Sequence, residues 1–171
     1  MRKNVLIFGL VLGTILCVNM VYMVNLCYTN PDFESNDALG YAAMVLVFSL
    51  VFFGIRNYRN KELGGSIPFW KAFKVGLFIT LIAASMYVVV WLFYYYLFVP
   101  DYLDQYIKHV LNKVPAPELQ AKTQEMDSFR EMYKSPFFVV IITYAEVLPV
   151  GILVTLISAF FLKKKAVSPV G

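Results

Sequence analysis

Charged side chains are scarce in this sequence, 15% of 171 residues, against 60% hydrophobic and 17% aromatic. Soluble domains carry roughly a quarter of their residues as charges, so a chain this apolar cannot cover an aqueous surface. Cysteine is nearly absent too. Cys17 and Cys27 lie in one apolar segment; on a helix rising about 1.5 Å per residue they are about 15 Å apart, beyond disulfide reach. The single histidine, His109, stands in a polar stretch without a Cys or His cluster, so no metal, haem or other cofactor is expected. Gly64-Gly65 lacks the Gly-Lys-Ser/Thr that completes a phosphate loop and reads as a hinge. Ser49, Ser85 and Ser158 have no histidine or lysine at matching depth, which leaves an intramembrane serine hydrolase without its base. The net charge of +4 is spread over the ends of apolar runs, a topological pattern that gives no nucleic-acid surface.

What the sequence has in abundance is long hydrophobic runs, and its mean hydropathy is +0.66. Residues 4–27 carry no charge, and 24 residues exceed the approximately 20 that span a 30 Å hydrocarbon core as a helix. The run is too long for a signal peptide and lacks a small-residue cleavage site, while Leu16 spoils a lipoprotein site at Cys17. Further runs cover 38–55, 75–99 and 136–162. The polar turn Tyr28 to Asp37, with Asn30 and Pro31, separates the first two. Ser66 and Pro68 read as the N-cap and first-turn proline of the third. Lys163, Lys164 and Lys165 stop the fourth. All four are expected to be helices, because lipid supplies no hydrogen-bond partners and four strands cannot close into a barrel. The fold class is thus all-α, an integral membrane four-helix bundle in a single membrane domain over 1–171.

Charge placement orients it. Arg2 and Lys3, then Arg56, Arg59, Lys61, Lys71 and Lys74, then the three terminal lysines fall on one side; the first loop, with Asp32, Glu34 and Asp37, and the acidic-leaning stretch 100–135 fall on the other. Lysine and arginine in short loops stay cytoplasmic, so both termini are expected in the cytoplasm. The outer stretch 100–135 is too long for a structureless connection. Tyr102, Leu103, Tyr106, Ile107, Val110 and Leu111, then Leu119, Met126, Phe129 and Tyr133 after Pro115 and Pro117, recur at helical spacing. They predict an extracytoplasmic helical hairpin, either extending spans three and four or lying on the lipid surface.

Several segments together resemble a known family: Leu63-Gly64-Gly65-Ser66-Ile67-Pro68-Phe69-Trp70-Lys71-Ala72-Phe73-Lys74-Val75-Gly76, the outer Pro100-Asp101, Met132-Tyr133-Lys134-Ser135-Pro136, and Glu146-Val147-Leu148-Pro149-Val150-Gly151 before a basic tail. The chain is similar, over nearly its whole length, to the uncharacterised four-span membrane proteins, mostly of Bacteroidota, known as domain of unknown function 4199. Trp70 departs from the family pattern, which has a small residue there. The resemblance implies a bacterial inner membrane and the same four-span topology. It implies no activity.

Glu146 is the one ionisable residue well inside an expected span, where a charge costs about 2.5–3.5 kcal/mol on insertion scales. It is either a proton or cation site in the bundle interior or a protonated carboxyl that hydrogen-bonds between helices. Pro149 frees the carbonyl of Ala145 and is expected to bend the helix beside it. Counting from the basic flanks puts Glu146, Asn19, Tyr41 and Trp91 at one level, with Tyr87 a turn nearer the cytoplasm. These five form a candidate intramembrane polar site. Gly9 and Gly13, Gly76 with Thr80 and Ala84, and Gly151 with Thr155 are small-residue pairs that let helices approach, within the bundle or between copies. Trp91, Tyr94, Tyr95, Tyr96 and Tyr102 read as headgroup-level anchors, with a ligand box as the alternative. The expected function is a non-enzymatic structural, accessory or interaction component whose partners are the bilayer and a second copy or another membrane protein. The alternatives are a small proton- or ion-linked transporter using Glu146 and, third, an enzyme using hairpin carboxylates.

Overall fold

The computed structural model describes residues 1–30 and 37–164, so Pro31, Asp32 and Glu34 of the first loop and Lys165 of the lysine triplet lie outside the described residues. The described helices are α1 (Arg2–Thr29), α2 (Asp37–Phe48), α3 (Leu50–Glu62), α4 (Phe69–Leu97), α5 (Tyr102–Leu111), α6 (Leu119–Tyr133) and α7 (Pro136–Leu162). Four stretches are long and apolar enough to cross a membrane: α1, Gly40–Glu62, α4 and α7. Their apolar windows have mean hydropathies of 1.5–2.3, yet only 28–44% of each is buried inside the protein. The uncovered remainder, such as Leu46, Leu97 and Phe161, is apolar surface that requires a lipid phase.

Helix boundaries depart from the apolar runs where local chemistry overrides hydropathy. The second span continues past Ile55 to Glu62 because nothing between Arg56 and Lys61 breaks a helix. It stops where Gly64 (φ 62°) and Gly65 (φ 90°) turn the backbone left-handed and the Gly65 amide closes on the Arg59 carbonyl. Midway, the Ser49 hydroxyl donates to the Leu46 carbonyl at 2.6 Å, competing with the helical ladder at the junction of α2 and α3. Ser66 is not the N-cap of α4. Ile67 pairs with Lys164 in an isolated two-way backbone bridge (2.9 and 2.8 Å), which holds this segment extended, so Pro68 becomes the N-cap and the helix starts at Phe69. Trp70 is 70% exposed and stands edge-on to Phe69 and Phe73. Pro149 is accommodated inside α7.

Helix α4 is the spine, with α1 and α7 packed along it and α2 and α3 between α1 and α7. Glycines set the spacing. A Cβ on Gly9 or Gly13 would fall 2.8–2.9 Å from Ile82 or Met86 of α4; on Gly76, 2.7 Å from Thr155; on Gly151, 2.5 Å from Thr80 and 2.8 Å from Phe48. All four small-residue positions are thus occupied by contacts within one chain. Gly54, which the sequence reading passed over, belongs with them: its Cβ would meet Ile79 at 2.6 Å and Phe8 at 3.1 Å. Between α4 and α7 the Thr80 and Thr155 hydroxyls share a buried hydrogen bond of 3.0 Å.

At one end the Met1 ammonium pairs with Glu62, Arg59 donates to the Leu162 carbonyl at 3.3 Å, and Ile67 pairs with Lys164. The start of α1, the end of α3, the start of α4 and the end of α7 therefore meet here, and with them the basic residues. At the opposite end α5 and α6 pack on α1 and α7 respectively. They are tied to each other by Arg130–Asp104 at 2.9 Å. Here a second apolar cluster, including Met20, Val24, Trp91, Tyr95, Leu103, Ile107, Met126 and Tyr133, joins the span ends to α5 and α6.

Candidate functional site

A cavity of about 550 Å³ opens at this second end, walled by α2, α5, α6 and α7. Helix α2 contributes Gly40, Tyr41 and Met44; α5 contributes Tyr102, Leu103, Tyr106 and Val110; α6 contributes Lys122, Glu125, Met126, Phe129 and Tyr133; α7 contributes Glu146 alone. The amphipathic spacing of α5 and α6 turns their aromatic stripe toward the spans, and that stripe becomes the wall. The volume falls within the range of small-molecule pockets.

Glu146 is exposed to this cavity rather than sandwiched between helices. Of its four expected neighbours, Tyr41 lines the same cavity and is 48% exposed. Tyr87, half-buried on α4, lies within electrostatic reach of the carboxylate and of Cys17. Trp91 is buried and is linked to the site through Tyr133, whose hydroxyl its indole N–H approaches. Asn19 is half-buried on α1 and does not line the cavity. Counting along the helices put four of the five at one level and Tyr87 a turn away; rotation about the helix axis turns Asn19 away from the cavity.

The aromatic cluster also departs from expectation. Trp91 and Tyr95 are not headgroup anchors but buried, because their i, i+4 spacing puts both on the face of α4 that meets α5 and α6. Trp91 stands edge-on to Tyr102 (5.4 Å between centroids), and Tyr95 edge-on to Tyr133 (5.3 Å). The Tyr96 hydroxyl donates to the Tyr133 carbonyl at 3.0 Å. Sequence reading missed Tyr106, Lys122, Glu125, Phe129 and Tyr133 as site residues; their only signal was the apolar stripe, which does not reveal what it faces.

Burial pushes the Tyr133 hydroxyl pKa up, and the Glu146 carboxylate raises it further against a small opposing effect from Trp91. Burial likewise raises Tyr102. Both phenols therefore remain neutral, and that of Tyr133 stands within electrostatic reach of the Glu146 carboxylate. Lys122 donates to both oxygens of Glu125 at 2.8 Å, so that pair is internally neutralised. Outside the cavity, the Tyr28 hydroxyl donates to Asp101 at 2.7 Å and holds that carboxyl below its usual range, and His109 Nε2 lies 3.1 Å from the Cys27 carbonyl. Cys17 and Cys27 are both free thiols. Among the described residues no group of three His, Cys, Asp or Glu is placed to hold a metal ion.

Neither a curated protein nor a solved structure matches the chain. A family pattern does, described as "Protein of unknown function (DUF4199)", and it matches residues 5–164. With nearly its whole length matched, the chain is a member of the DUF4199 family.

Proposed function

We propose that this chain is a non-enzymatic interaction component of the bacterial inner membrane, a four-helix bundle with both termini cytoplasmic and α5 and α6 as an outer hairpin. Its outer cavity receives an amphipathic molecule bearing a positive charge. The observation that carries the reading is Glu146 opening onto a 550 Å³ cavity walled by Tyr41, Tyr102, Tyr106 and Tyr133. A carboxylate set among electron-rich ring faces attracts an ammonium group by charge and by cation–π contact. The Lys122–Glu125 pair sits on the wall without adding net charge. Orientation rests on the basic residues gathered at the end where Arg59 meets Leu162.

The reading is tested by following tryptophan fluorescence during titration with benzyltrimethylammonium and, separately, with its neutral isostere neopentylbenzene. The cation should bind in preference, and Glu146→Gln should weaken it about tenfold, the scale of one cation–carboxylate contact. Equal binding of both probes, or no effect of Glu146→Gln, refutes the reading.

A proton- or ion-linked transporter using Glu146 is the second reading, favoured by Pro149 one turn away in α7. It requires the cavity to connect inward, where Phe48, Gly151 and the Thr80–Thr155 pair are closely packed. Loss of a pH-dependent proteoliposome flux in Glu146→Gln would support transport over binding alone.

A further inference from the structure

At the basic end a second groove, of about 360 Å³, lies between α1 and α3 and is lined by Phe8, Phe53, Arg56, Asn57, Asn60 and Lys61. Its chemistry changes along the helix axis. Phe53 is 51% exposed; Asn57 is one turn further on, and Asn60 and Lys61 another, so the lining passes from aromatic to amide and cation over about 12 Å. Gly54, without a Cβ, lets the Phe8 ring settle against α3 beside it. This gradient matches the boundary between acyl chain and headgroup.

The charges are also unbalanced. Neither Arg56 nor Lys61 has an ion-pair partner among the described residues, while the adjacent Glu62 is engaged by the Met1 ammonium. Arg59, the other nearby cation, is committed to Asn60 and to the end of α7. One turn before Phe8, on the same face of α1, Asn4 is buried with neither amide atom hydrogen-bonded. The groove thus has two uncommitted cations and amide donors at its polar end, an aromatic wall at its apolar end, and no available carboxylate to welcome an ammonium headgroup.

We propose that this groove binds the phosphodiester headgroup of an anionic phospholipid from the adjacent leaflet, with Arg56 and Lys61 on the phosphate and an acyl chain along Phe8 and Phe53. The site stands apart from the outer cavity. It rests on the reading of Gly40–Glu62 as a membrane span, and because a nanodisc exposes both faces, the test below is independent of which face is cytoplasmic.

The full chain is reconstituted in phosphatidylcholine nanodiscs containing a graded fraction of phosphatidylglycerol, and lipid retained on release is counted by native mass spectrometry. Phosphatidylglycerol should be retained in preference to phosphatidylcholine. R56Q/K61Q should lower its apparent affinity about thirty-fold, the loss of two cations at a membrane surface, while K71Q/K74Q, an equal charge change at the same end, should leave it within about twofold. Should the double variant fold poorly, R56Q and K61Q singly should each cost about fivefold. Phe53→Ala should shorten retention of the lipid. Equal loss in both double variants would mean diffuse surface attraction and overturn the proposal. Displacement by excess inorganic phosphate would overturn the lipid as occupant in favour of a free phosphate, and retention of both lipids alike would overturn the site altogether.

Discussion

Substituting Gly151 by alanine is the sharpest probe of how the spans are held together. The new Cβ would lie 2.5 Å from Thr80 Cγ2 and 2.8 Å from the Phe48 ring. Phe48 is fully buried and has nowhere to retreat. Thr80 can yield only by turning about χ1, which carries its hydroxyl away from Thr155 and breaks the 3.0 Å bond between them. Overpacking a dense interior costs about 1–3 kcal/mol, and an interhelical hydrogen bond in a membrane contributes about 0.6 kcal/mol. Gly151→Ala should therefore destabilise the protein by about 2–3 kcal/mol, measured by reversible SDS unfolding in mixed micelles. Gly40→Ala is the control: its Cβ meets nothing within 4 Å, so it should be neutral or gain up to about 1 kcal/mol from the lost backbone freedom. If Gly151→Ala unfolds within about 0.5 kcal/mol of the parent, the close approach of α4 and α7 described above is wrong.

Thr80→Val and Thr155→Val should couple in a double-mutant cycle by about 0.6–1 kcal/mol, and zero coupling would remove the hydrogen bond from the account. The Arg130–Asp104 pair is largely exposed, so Arg130→Ala should cost no more than about 1 kcal/mol, while amide exchange in the 112–118 connection should quicken. The depressed Asp101 carboxyl stabilises the fold above its unfolded pKa, near 3.8. That contribution is lost as pH falls through the lower folded value, so acid melts of Tyr28→Phe, which lacks the bond, should be less steep than those of the parent below about pH 4. A cysteine at Lys122 should react with an impermeant thiol reagent in intact cells and one at Asn60 should not; the reverse pattern would invert the orientation.

The helical spans were legible because lipid removes every alternative for a long apolar run, and hydropathy reads that constraint directly. Glu146 was legible for the same reason, as a charge where charge is costly. What it faces was not. Depth along a helix follows from counting residues, but azimuth depends on which neighbour each face packs against, so counting grouped Asn19 with a cavity that it does not line. The cavity walls were hidden because Tyr106, Phe129 and Tyr133 follow the same amphipathic rule whether a stripe meets lipid, core or an opening. The Ile67–Lys164 bridge joins residues nearly a hundred positions apart, and no local pattern in Ser66 to Pro68 announces it.

That bridge has a consequence for the order in which the chain is assembled. Synthesis delivers α1, α3 and the start of α4 to the membrane well before α7 exists. Until Leu162 and Lys164 have emerged, the Ile67 amide and the Arg59 guanidinium lack the acceptors they find in the finished protein. The last turn of the last span acts as a latch on the middle of the chain. A polypeptide stopped shortly before it would retain every earlier helix and still leave the basic end open.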